Sequence, residues 1–125
     1  MDIVILLHSL VRFVVLLVAT IGLLKTIIRL IQKSVPVKLD QTLGAIFVGL
    51  FDLQALLGIL IIFLGGLKGI VHPIVMFIGL AVAHWLSIQT RKAQGANSNL
   101  TRLALYVVPL LIILFGLAII GRLPV

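Results

Sequence analysis

Four long apolar runs constrain this chain more than anything else in it: Ile3 to Leu30, Leu43 to Leu64, Ile70 to Ile88 and Leu103 to Ile120. About 20 residues rising 1.5 Å each cross a hydrocarbon layer roughly 30 Å thick, so every run is long enough, or nearly so, for a transmembrane helix. None alternates with the two-residue period of an outer-membrane strand. Lipid also tolerates no unsatisfied backbone, so the spans are expected to be helices. With 62% hydrophobic residues and a mean hydropathy of +1.38, the chain's solvent is lipid. The expected fold is all-α: one transmembrane domain over 1–125 with helices at about 3–31, 41–64, 72–91 and 99–121. The first run follows Met1-Asp2 with no basic segment and exceeds the length of a signal-peptide core, which predicts a retained helix.

The connections between runs are short. Pro36 forbids a continuous helix through 32–40, and Asp40 is expected to N-cap the second helix. Residues 65–69 read as a tight Gly-rich turn into a third helix with Pro73 in its first turn, and 91–99 as a polar turn into a fourth. Short loops favour antiparallel neighbours, hence an up-down-up-down four-helix bundle. Gly44, Gly49, Gly58, Gly79 and Ala83 suit close helix approach, and Pro109 is expected to kink the fourth helix.

Absence of cysteine excludes disulfides, thiolate metal sites, iron–sulfur ligation and covalent haem attachment. The net charge of +7 superficially suggests nucleic acid, but the basic residues fall at span ends, where they meet lipid headgroups. The expected partner is the bilayer, with no nucleic acid. Lys25, Arg29, Lys33, Lys38, Arg91, Lys92 and Arg102 lie on one side, against Lys68 and Arg122 on the other. The positive-inside rule then places the two basic loops in the cytoplasm and both termini on the periplasmic side of a bacterial inner membrane.

Ionisable side chains inside a span are functional candidates by default. Counting 1.5 Å per residue from the outer ends of the runs puts His8 at a depth of about 8 Å and Arg12 at about 14 Å. The same count puts His72 within about 3 Å of the boundary, and Asp52 and His84 both at about 18 Å. Two layers result. The outer holds His8, Ser9, Arg12 and His72; the inner holds Asp52, Gln54, His84, Ser87 and Tyr106.

In a sequential bundle helices 1 and 3 are diagonal, at roughly 12–14 Å for neighbour spacings of 8–10 Å, which leaves room for a flat macrocycle between two imidazoles. His8 and His72 are therefore candidate ligands of b-type haem, with Arg12 one turn below His8 as a propionate partner. His8 with His84 in a tilted bundle is the other pairing. His72 and His84, twelve residues apart on one helix, cannot share an iron. In the inner layer Asp52 needs a partner. With His84 it would form an orienting pair or, with Tyr106, a proton relay; with Arg12 it would form a salt bridge joining two helices.

Three segments carry a resemblance: His8-Ser9-Leu10-Val11-Arg12-Phe13, Phe51-Asp52 through Gly58, and His72-Pro73-Ile74-Val75-Met76 through Ala83-His84-Trp85. They resemble short four-helix bacterial integral membrane proteins described as cytochrome b-like. The resemblance covers most of the chain and implies a group sharing these polar positions.

The expected function is a small membrane protein that binds haem b and transfers electrons, with membrane quinone as acceptor or second cofactor. An accessory subunit of a larger respiratory or photosynthetic complex is the alternative, and proton or metal-ion transport a third. Other membrane subunits or further copies of the chain are the expected protein partners. No nucleophile–base pattern or phosphate loop appears, so no independent catalytic activity is expected.

Overall fold

A computed structural model describes residues 2–65, 71–93 and 97–119. They form four α-helices: α1 (Asp2–Gln32), α2 (Lys38–Gly65), α3 (Val71–Lys92) and α4 (Asn97–Ile119). All four are long and apolar enough to cross a membrane. The expected Gly65–Gly69 turn, Lys68 and Arg122 lie almost wholly outside the described residues. α1 packs chiefly on α2 and α4, and α3 chiefly on α4 and α2.

The core runs through the middle of this arrangement, built on Val15, Ala19, Phe47, Phe51, Ala83, Leu105, Tyr106, Ile113 and Leu117. Phe47 packs on Tyr106 with the rings tilted and their centroids 5.2 Å apart, and meets Phe51 edge-on at 6.2 Å. The Tyr106 ring lies so close to Gly22 that any Cβ there would overlap it, and Gly79 lets Ile112 and Phe51 approach α3 closely, though less tightly. Large apolar side chains such as Leu6, Phe13, Leu17, Phe63, Trp85 and Phe115 cover the outside. That surface suits acyl chains and is untenable in water. Pro109 sits buried within a continuous α4.

The α1–α2 connection is more tightly specified than a proline break. Lys33 adopts φ 54°, and Ser34 N–H donates to Arg29 O at 3.0 Å while Lys33 N–H donates to Leu30 O at 3.3 Å. This is a Schellman motif with lysine at the left-handed position that glycine usually fills. Asp40 does not N-cap α2. The helix begins at Lys38, earlier than expected, so Asp40 is its third residue and reaches back to accept from Val37 N–H at 2.8 Å. That is one half of a capping box, which lets α2 start a turn sooner.

The same carboxylate accepts from Arg29 Nε at 3.0 Å, and the Asp40 carbonyl accepts from Arg102 Nη1 at 2.8 Å. Asn99 Nδ2 donates to Ser34 O at 2.8 Å. Asp40 thereby ties α1, α2 and α4 together at the basic-loop end of the molecule.

Candidate functional site

At the end opposite the α1–α2 linker, α1 and α2 bring His8, Arg12 and Gln54 together. His8 Nε2 faces Gln54 Nε2 at 3.4 Å, and the His8 ring packs beside Gly58. Three polar atoms here are shut off from the surface with no hydrogen-bond partner: His8 Nδ1, Arg12 Nε and Gln54 Oε1. The Arg12 guanidinium lies over the Phe13 ring, 4.9 Å from its centroid. Buried polar groups in folded proteins are ordinarily satisfied, and three orphans in one cluster mark a place built for something more.

His72, the second residue of α3, lies within electrostatic reach of His8. Its Nδ1 is 3.1 Å from the carbonyl of Gly116 on α4. A backbone acceptor on Nδ1 fixes the tautomer and leaves Nε2 with a free lone pair, the usual arrangement of a metal-binding histidine. His8 has its Nδ1 unpartnered, and its Nε2 holds only a long contact. Two imidazoles and an Arg12 N–H without a protein partner therefore stand at one end of the molecule. No cluster of three or more His, Cys, Asp or Glu occurs among the described residues, so a multi-carboxylate metal centre finds no support there.

The inner layer comes apart in the structure. Asp52 pairs with His84, Oδ1 to Nε2 at 2.8 Å, and does not meet Arg12. Both lie near the midpoints of their helices, yet they are 47% and 50% exposed on the outer edge of the α2–α3 contact. Asp52 is adjacent to the buried Phe51, and a step of 100° per residue swings it off the core face.

Gln54, two residues further on, is turned back by about 200° and joins His8. Tyr106 is fully buried at a different corner, beside Gly22, Gly44 and Phe47, with its hydroxyl toward Arg102. It makes no contact with Asp52 or His84, so the three do not form one relay. Ser87 faces the basic-loop end of the bundle.

Gln54 is the member of the outer site that depth counting misplaced, because depth ignores azimuth. Four residues separate it from Gly58, which the His8 ring also touches at van der Waals distance. Comparison with protein-family models, curated proteins and solved structures finds no match.

Proposed function

We propose that this chain is a multi-pass protein of a bacterial inner membrane that holds a redox cofactor, b-type haem, between His8 and His72 and serves electron transfer to quinone. The helices would run up-down-up-down with both termini periplasmic, as the surplus of basic residues on the α1–α2 and α3–α4 sides favours. This agrees with the resemblance to cytochrome b-like four-helix proteins. The observation that carries the reading is the convergence of His8 Nδ1, Arg12 Nε and Gln54 Oε1, all buried and unsatisfied, beside a histidine whose Nδ1 is already anchored.

When bound, the haem supplies one-electron chemistry; the chain's residues supply its placement. His72 is aimed by Gly116 O, and His8 is held between Gln54 and Gly58. Arg12, one turn below His8, carries the positive charge that suits a propionate. The surrounding apolar helices exclude water. The test is haem content of the purified protein after expression with haem precursor: His8→Ala and His72→Ala should each abolish it, and Arg12→Gln should weaken retention. Undiminished haem in both histidine variants would refute these ligands.

A second reading, an accessory subunit of a larger membrane complex, is favoured by the Asp52–His84 pair. A carboxylate–imidazole pair half exposed at mid-helix would face acyl chains, whereas intramembrane ionisable groups almost always face protein or a water-filled cavity. A helix of a partner protein laid over α2 and α3 would cover it. Gly49 helps, since a Cβ there would meet nothing within 4 Å and the backbone is open to close approach.

A further inference from the structure

The basic-loop end holds a second polar cavity, remote from His8 and His72. A cleft of about 290 Å³ opens between the start of α2, the end of α3 and the start of α4, under the 33–37 linker. Arg102 and Arg91 line it together with Gln41 and Ser87, and among the described residues no acidic side chain does. Pro36 and Leu105 contribute apolar wall. The size lies at the lower end of small-ligand pockets, suited to a headgroup-sized molecule.

Arg102 sets the chemistry. It is 5% exposed, its Nη1 donates to the Asp40 carbonyl, and its Nε is shut off with no partner. The carboxylate of Asp40 is turned to Arg29 and to Val37 N–H, and no carboxylate of the described residues lies within salt-bridge distance of Arg102. A buried guanidinium with no counter-charge is costly, and natural proteins pair or solvate such groups. Gly44 belongs to the same cradle: a Cβ there would stand 3.1 Å from Arg102 Nη1, so the missing side chain lets the guanidinium lie against α2. The first turn of α4 also borders the cleft through Ser98, bringing the positive end of a helix dipole to the same place.

We propose that this cleft binds a phosphate-bearing anion, with Arg102 as the buried contact and Arg91 closing on it from the rim. Arg91 is exposed and has no ion pair among the described residues, so it is available for that role. The phosphate has two chemical sources. At the end of a transmembrane helix an interhelical basic pocket meets lipid headgroups, and an anionic phospholipid fits both the charge and the apolar wall. A soluble phosphate would use the same two guanidinium groups. The inference does not depend on the His8–His72 site.

The full chain in dodecylmaltoside is titrated with phosphatidylglycerol, with phosphatidylcholine and with inorganic phosphate. Lipid binding is read by native mass spectrometry and phosphate binding by calorimetry. The wild type is expected to retain one phosphatidylglycerol in clear preference to phosphatidylcholine. Loss of a charge-assisted contact should weaken binding about ten-fold or more in Arg102→Gln and less in Arg91→Gln, with Arg102→Lys intermediate. Saturable binding of inorganic phosphate with the same dependence on the two arginines would support the site and identify a soluble ligand. Arg91→Gln leaves the buried network intact, so the test stands even if Arg102→Gln fails to fold. Equal retention of the two lipids without phosphate binding, or wild-type binding in Arg91→Gln, would overturn the proposal.

Discussion

Replacing Asp52 and His84 together with leucine should make the isolated protein more stable. On insertion scales aspartate at mid-helix costs about 2.5–3.5 kcal/mol and leucine gains about 0.3–0.6, so α2 alone becomes easier to insert by roughly 3–4 kcal/mol. Against this stands the lost 2.8 Å pair, whose members are about half exposed and thus only partly enclosed by protein. Replacing an ion pair in low dielectric by apolar residues of similar size is neutral to stabilising by about 1–4 kcal/mol, and we expect a gain of about 1–3 kcal/mol here.

The single variants should break additivity. His84→Leu leaves a lone carboxylate facing lipid and should cost about 1–3 kcal/mol, so the double variant should exceed both the wild type and His84→Leu. The assay is equilibrium unfolding in mixed micelles of dodecylmaltoside and increasing dodecyl sulfate, followed by circular dichroism. A double variant less stable than the wild type would show that the pair is an internal clasp and that its outward placement is misread.

Three further substitutions test the packing. Gly22→Ala forces a methyl into the Tyr106 ring and should destabilise by about 1–3 kcal/mol or more in the same assay, with Tyr106→Leu partly rescuing it. Lys33→Gly relieves a left-handed backbone and should raise stability by about 0.5–1 kcal/mol. Asp40→Asn keeps a possible acceptor for Val37 N–H and leaves the Asp40 carbonyl to Arg102, but it leaves Arg29 without a carboxylate. With Arg29 about a quarter exposed, a loss of about 2–3 kcal/mol is expected, and a thermal melt unchanged from wild type would contradict the hub role of Asp40.

The four helices were legible because bilayer thickness and hydrogen-bond satisfaction leave a long apolar run little choice. Their ends were less so. Lys33 stops α1 in a conformation that composition does not advertise, and Asp40 acts from inside α2 where a cap was expected. The polar layers were half legible: depth follows from counting residues, and it correctly brought Asp52 level with His84. Azimuth requires knowing which face packs inward, and on helices apolar all round the sequence carries little of that information. Hence Gln54 was assigned to the inner layer although it serves His8, and Tyr106 was grouped with residues it never meets. Gly22 and Gly116 escaped notice for the same reason, since only the packed structure shows Tyr106 and Met76 pressed against them.

The most direct test of the His8–His72 assignment is a reduced-minus-oxidised absorption spectrum of the detergent-solubilised wild type, isolated from cells competent in haem synthesis. A sharp Soret band with the α and β bands of a low-spin, bis-histidine b-type haem is expected. A colourless, fully folded protein that also fails to take up added haem would contradict it.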